Sequence, residues 1–398
     1  MSGSLAITGI AELITNEPGI GLGPLGTIAA AAVVADDGVI VYVGASKGAP
    51  AADVEIVAGG RSVIPGFVDS HTHLVFAGDR TDEFSERMAG RAYAAGGIAR
   101  TVEQTRAVSD AELLANARRL VTEARSDGTT TIETKSGYGL TINDEERSLR
   151  VARQCADEVT FLGAHVVPDE FAHDRESYVE LVAGTMLDAC APLSGWCDVF
   201  CDEGAFSEDE SERILNAGGA KGLGLRIHAN QLSFGPGARL AARVGAASAD
   251  HLNHLDAKDI AALKDAAVVA TLCPGADFST KSQYADGRAL LEAGVTVALA
   301  SDCNPGTSFT TSMPFVIALA VRECGLNPEE ALAAGTLGGA RALRRDDVGR
   351  IAPGARADLV VLDAPSHVHL AYRPGVHLVD VVVQRGEVVV PTSRARDG

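Results

Sequence analysis

Basic residues are scarce in this chain. Its 34 Lys and Arg stand against 53 Asp and Glu, a formal net charge of −19 over 398 residues with a pI near 4.9. Such a deficit argues against DNA or RNA as a partner, and against an anionic membrane surface, because both run on a surplus of Lys and Arg. An anionic small molecule is still permitted, since screening lets one local Arg outweigh a distant field. Long apolar runs are lacking too: the longest near the start, 28–35, has eight residues where a span needs about 18. The first basic residue is Lys47, so no charged n-region of a secretory signal is recognised, and a cytosolic protein is expected. No CxxC pair occurs among the seven cysteines, which are scattered from Cys155 to Cys324. An odd, dispersed set excludes a disulfide framework or a Cys-based zinc site and reads as small buried residues in a reducing compartment. Gly (43) and Pro (15) stay well short of the roughly 25–30% that marks low complexity.

What is present is alternation. Short apolar runs at 63–68, 129–134, 159–164, 198–201, 224–227, 246–249, 267–272 and 295–300 are separated by amphipathic stretches. The helical patterns cover 109–125, 143–156, 175–189, 208–217, 236–244, 256–263, 285–292 and 311–323. The first is opened by a capping box, Ser109 with Glu112 three residues on. Eight continuous apolar strands alternating with helices predict an α/β fold, a (β/α)8 TIM-like barrel over 65–344. An open doubly wound sheet is the rival reading. Residues 1–64 and 345–398 carry β-branched runs and turn signals instead. The two ends are expected to meet in one small composite β-domain, sandwich-like, with the barrel inserted between them.

A parallel barrel builds its site at the C-terminal ends of its strands. The first strand runs into Asp69-Ser70-His71-Thr72-His73. Histidines at i and i+2 of an extended segment point the same way, so both can bind one metal. The fifth strand ends at His228, the sixth leads into Asp250-His251 and the eighth into Asp302. The chain supplies its own control in His367-Val368-His369, a second HxH with no partner at neighbouring strand ends, read as structural or surface. His254 lies past the strand end and suits a supporting role; His173 and His377 carry no context. Gly21-Leu22-Gly23-Pro24-Leu25-Gly26 matches GxGxxG formally, but it follows no strand and Pro24 removes a donor. No GxSxG elbow or Walker loop is found.

The Pro65-Gly66-Phe67-Val68-Asp69-Ser70-His71-Thr72-His73 run, with the distant His, His and Asp, resembles the metal-dependent amidohydrolase superfamily. The runs 71–80, 135–140 (KSGYGL), 163–168 (GAHVVP) and 302–307 (DCNPGT) narrow the likeness to its imidazolonepropionase family. That resemblance implies one divalent ion, Zn2+ or Fe, held by His71, His73, His228 and Asp302. The fourth strand ends Cys201-Asp202-Glu203 and carries no lysine to be carboxylated, while Lys135 sits on the second, so a mononuclear site is expected. Metal-activated water, with a pKa near 7, would hydrolyse the ring C–N amide bond of 4-imidazolone-5-propanoate to N-formimidoyl-L-glutamate. Asp302 would move the proton, with His251 and Gln231 as further catalytic candidates. Arg80 would bind the propionate, and Tyr138, His165, Gln231, Asn304, Gly306 and Thr307 would contact the substrate. Tyr138, between two glycines, suits a mobile loop closing over ligand. Gln231 stands where many amidohydrolases have a Glu that shuttles protons. That weighs against the alternative, a cyclic-amidine deaminase acting on a nucleobase or pterin. A homodimer is also implied.

Overall fold

The structure, a computed structural model, describes residues 3–90 and 97–391. The outermost residues of the expected end domain, and 91–96 within the expected barrel, lie outside the described residues. Two compact units are formed: Met1–Asp69 with Thr122–Thr131 and Ser312–Gly398, and Ser70–Val121 with Ile132–Thr311. No helix among the described residues is long and apolar enough to cross a membrane.

In the first unit, strands β1 (Leu5–Ile14), β2 (Thr27–Asp36), β3 (Val39–Ala45), β4 (Val54–Val57) and β5 (Ser62–Pro65) belong to one sheet. Its long strand β1 pairs antiparallel with β2 and parallel with β4 and β5. The chain's other end adds β14 (Leu359–Leu362), β15 (Val379–Gln384) and β16 (Glu387–Val390) beside β5. At the far edge, Ile40 N–H donates to Ala355 O and Gly354 N–H to Ile40 O, both at 2.8 Å. The sheet therefore curls over a core that includes Ile7, Ile10, Leu13, Val33, Ile40, Val63, Val361 and Val383. His367 is structural here, as its isolation suggested: its Nδ1 lies 3.0 Å from Glu12 Oε1.

The second sheet is parallel, in the order of the chain: β6 (Phe67–Asp69), β7 (Thr129–Lys135), β8 (Glu158–Ala164), β9 (Trp196–Cys201), β10 (Gly224–Ala229), β11 (Ser248–His251), β12 (Val269–Leu272) and β13 (Val297–Leu299). Beyond the first and last strands the backbone continues the closure. Asp302 N–H donates to His71 O (3.0 Å), His73 N–H donates to Cys303 O (2.9 Å), and Thr72 bridges Cys303 in the parallel sense. The expected barrel is thus present and nearly closed.

Two expectations are corrected. The apolar run 63–68 is not one strand. It pairs with β1 and β14 through Pro65, then changes sheets at Gly66, where a Cβ would lie 2.1 Å from Thr130 Oγ1. The helical pattern 175–189 is interrupted by a π turn, Val182–Met186, because Gly184 leaves helical angles (φ −114°, ψ −110°). The capping box forms as expected, with Glu112 Oε2 accepting from Ser109 N–H at 2.8 Å. The cysteines are free, and all but Cys155 are buried.

Candidate metal centre and substrate cavity

All the side chains of the site lie in the second unit. His71 and His73 follow β6 directly, His228 is on β10, and Asp302 lies just past β13, at +50° in φ. Their inward atoms converge. Nε2 of His73 is 3.3 Å from His71 Nε2 and 3.2 Å from His228 Nε2. Asp302 Oδ1 is 3.6 Å from His71 Nε2 and 3.5 Å from His73 Nε2. A tetrahedral ion with ligands at about 2.0–2.1 Å would have edges of about 3.3–3.4 Å, so the spacing and the N3O donor set both fit a divalent cation.

The outer nitrogens are held from behind. His71 Nδ1 lies 2.6 Å from Asp250 Oδ2, and His228 Nδ1 lies 3.1 Å from Asp198 Oδ1. Carboxylate-to-imidazole bonds of this kind fix the ring and leave the Nε2 lone pair facing inward. Burial, followed by the charge of Lys135 for His71 and of His228 for His73, holds both imidazoles well below their usual pKa, hence neutral and ligand-ready.

Beneath this centre lies a group of charges that the sequence reading missed. Lys135 Nζ sits 2.8 Å from Glu133 Oε1 and 3.1 Å from Asp198 Oδ2, and Arg226 Nη2 donates to Ser70 O at 2.6 Å while lying 3.5 Å from Asp250 Oδ2. All five side chains are fully buried. Burial pulls the Lys135 ammonium down, but Glu133 and Asp198 outweigh it and keep it charged. Burial likewise opposes ionisation of Asp198, and His228, Lys135 and Arg226 overcome it. Charges on strands expected to be purely apolar were the available signal.

A cavity opens over the centre. It is lined by His73, His228, His251 and Asp302, and by the expected Arg80, Tyr138, His165, Gln231, Asn304 and Thr307. His251, at φ +79°, brings its ring within 5.4 Å, centroid to centroid, of both His71 and His228. His165 stacks on His73 (5.3 Å, 21°). Its Nδ1 is 2.9 Å from Gly137 O. A carbonyl only accepts, so Nδ1 carries the proton and Nε2 is an acceptor. Burial, then the charge of His228, lowers the His165 pKa to about 4.

Four placements differ in detail from expectation. Arg80 is 3% exposed and faces the cavity, yet its Nε and Nη2 already donate to Glu83 Oε2 at 2.9 and 2.6 Å. Gly306 is behind Arg80 rather than on the cavity wall: a Cβ there would lie 2.1 Å from Arg80 Nη1. Asn304 uses its Oδ1 on the N–H groups of Gly306 and Thr307, both at 2.8 Å, so it builds the turn after Asp302. Nor does the Tyr138 segment hang free. Tyr138 is 3% exposed, and the backbone on either side of it is hydrogen-bonded to Glu145 and Arg106. Gln231 is held through its backbone N–H, which donates to Asp202 Oδ2 at 2.6 Å, leaving its amide to the cavity.

Comparison with known proteins follows the geometry. The Amidohydrolase family profile matches residues 62–389. The imidazolonepropionase of Mycolicibacterium smegmatis is 60% identical over 389 residues, 98% of each chain. That of Streptomyces coelicolor is 61% identical over 97% of this chain and 99% of its own. Among solved structures, the 5-methylcytosine deaminase of Klebsiella pneumoniae superposes with a TM-score of 0.77 over 98% of both chains at 18% identity. The atrazine chlorohydrolase of Arthrobacter aurescens, complexed with zinc, gives 0.72 at 17% identity over 98% of this chain and 95% of its own. At these identities the two structures speak for the fold alone.

Proposed function

The chain belongs to the Amidohydrolase family, among its imidazolonepropionases, and from that premise we propose how the site works. The reaction is hydrolysis of the ring C–N amide bond of 4-imidazolone-5-propanoate to N-formimidoyl-L-glutamate, the ring-opening step of histidine degradation. The observation that carries this reading is the convergence of three Nε2 atoms and Asp302 Oδ1 within 3.2–3.6 Å along the measured edges.

His71, His73, His228 and Asp302 would hold a single divalent ion, zinc or iron, which would supply Lewis acidity and activate water near neutral pH. The protein's own groups do the rest. Arg80 binds the substrate's propionate through charge-assisted hydrogen bonds. His165, an acceptor at Nε2, and Tyr138 hold the ring, and the Gln231 amide offers both a donor and an acceptor to the ring nitrogens. Asn304 and Thr307 shape the wall beside Arg80, and Gly306 leaves room behind its guanidinium.

With Oδ1 turned to the histidines, Asp302 keeps Oδ2 for proton transfer. It takes one proton from water as the new C–O bond forms at the ring carbonyl. It returns that proton to the ring nitrogen as the C–N bond breaks. The leaving nitrogen joins an amidine, whose delocalisation eases departure. His251, neutral through burial and the charge of His228, donates its N–H to the developing oxyanion.

For function we take 65–344 as the catalytic part and 1–64 with 345–398 as its companion. The reading carries with it a cytosolic homodimer, which sedimentation would test. The decisive experiment mixes purified protein with freshly made imidazolone propionate and follows the substrate's ultraviolet band beside the protein's metal content. Loss of the band at a rate proportional to bound metal is expected. A metal-loaded protein that leaves the band intact would overturn the reading.

A further inference from the structure

The helix Ile142–Ala152 starts two residues after Leu140, and Glu145 lies in its first turns. Its carboxylate does not face solvent. It turns back under the preceding loop and is fully buried there. Oε1 accepts from the backbone N–H groups of Gly139 and Leu140, both at 2.8 Å, and from Gly137 at 3.1 Å. Oε2 accepts from Gly137 at 3.1 Å as well. The loop meets this carboxylate in an unusual conformation, with Gly137 at φ +107° and Leu140 at φ +57°. Successive N–H groups turned to one side in this way form a concavity for an anion. Here the anion is built into the chain.

The loop also lies tight against the helix start. A Cβ on Gly139 would be 2.5 Å from Asp144 C and 2.6 Å from Glu145 N. On its other side, the Gly137 carbonyl accepts from His165 Nδ1 at 2.9 Å, and Arg106 Nε donates to Gly139 O at 2.7 Å. Gly137 therefore binds Glu145 through its N–H and His165 through its C=O. One residue links the buried carboxylate to two cavity-lining rings, Tyr138 and His165, whose centroids are 5.2 Å apart.

We propose that Glu145 is a positioning residue for substrate recognition: it clamps 137–140 so that Tyr138 and His165 face the cavity in one fixed arrangement. The Tyr138 and His165 roles rest on the function proposed above; the clamp itself rests on the hydrogen bonds alone. Glu145 touches neither the metal ligands nor the cavity, so its removal should act on substrate binding and spare the ion.

The test compares metal-loaded, full-length Glu145→Ala and Glu145→Gln with the unsubstituted protein. Glu145→Ala is expected to raise KM at least about tenfold, with kcat within about threefold and metal content unchanged. Amide exchange at Gly137, Gly139 and Leu140 should accelerate at least about 100-fold. Glu145→Gln keeps one oxygen acceptor and should bring KM back to within about threefold. Unchanged KM with unchanged exchange would overturn the clamp, as would a KM rise that only follows loss of metal. Should Glu145→Ala fail to fold, exchange in the unsubstituted protein still decides: amides at 137, 139 and 140 that exchange as fast as open loops refute the clamp. A protein with no turnover at all would sink the functional reading and leave the exchange result to judge the clamp.

Discussion

In the proposed mechanism Asp302 combines two demands in one side chain, and its surroundings would separate them. Oδ1 faces the histidines at 3.5 and 3.6 Å, while Thr307 Oγ1 approaches Oδ2 at 3.5 Å. Asp302→Ala should therefore lower kcat by at least about 10²-fold, the range of a lost general base. Turnover within tenfold of the parent, with metal retained, would remove Asp302 from proton transfer. Gly306 is a subtler case. It has no side chain to act with, yet a Cβ there meets Arg80 Nη1 at 2.1 Å, so Gly306→Ala should displace the guanidinium. Losing a charge-assisted bond to carboxylate costs about 1.5–3 kcal/mol. KM for the propionate substrate should rise roughly 10- to 100-fold while that for a neutral ring analogue stays level; equal effects on both would detach Gly306 from carboxylate recognition. At this scale the sequence was legible wherever chemistry announces itself locally. His71 and His73 share one strand end, and His228 and Asp302 close two others. It was silent on groups whose meaning is a distant partner: Lys135 acquires its role from Asp198, 63 positions away, and Asp250 from His71, 179 away.

Among the elements, the strands were the most legible, because a covered parallel sheet requires unbroken apolar runs. One break in a strand run and one in a helical pattern escaped the sequence. The change of sheet at Gly66 depends on Thr130 approaching from β7, and the π turn at Gly184 on one backbone angle pair. The short helix Pro274–Thr280 hides a different tension. Asp277, inside it, is 3% exposed, and burial pushes its carboxyl up to about 7 despite the 2.6 Å hydrogen bond from Asn253 Nδ2. A carboxyl raised on folding keeps its full stability contribution only below its unfolded pKa of about 3.9, and loses it as pH climbs through the folded value. Between about pH 4 and 7 the native state holds a proton that the unfolded state releases, so stability falls across that window. Asp277→Asn keeps an oxygen acceptor for Asn253 and never ionises. It should match the parent at pH 4 and exceed it by a few kcal/mol above pH 7. Parallel stability curves from pH 4 to 8, measured by denaturant unfolding, would contradict the assignment.

For the molecule as a whole, the centre joins what the chain keeps apart. His71 and Asp302 are 231 positions from each other, and three imidazoles and a carboxylate meet only in the folded barrel. An unfolded chain cannot present that set, so any ion bound there stabilises the native state by RT ln(1 + [L]/Kd), about 1.4 kcal/mol for each tenfold excess over Kd. The buried charges below set how the apo protein responds. Glu133, Asp198 and Asp250 are opposed by Lys135 and Arg226, so removing the ion leaves a framework already paired by its own cations. Chelation should lower Tm by several degrees yet leave a cooperative transition and native secondary structure. Restoring zinc or iron should return Tm in proportion to occupancy. Lys135→Met should destabilise independently of the ion. It strands Glu133 and Asp198 in the interior, where breaking a buried pair costs about 3–5 kcal/mol, so Tm should fall even with metal saturating. A chelated protein that unfolds outright, beside a Lys135→Met variant as stable as the parent, would mean that the ion and not the lysine holds these carboxylates together.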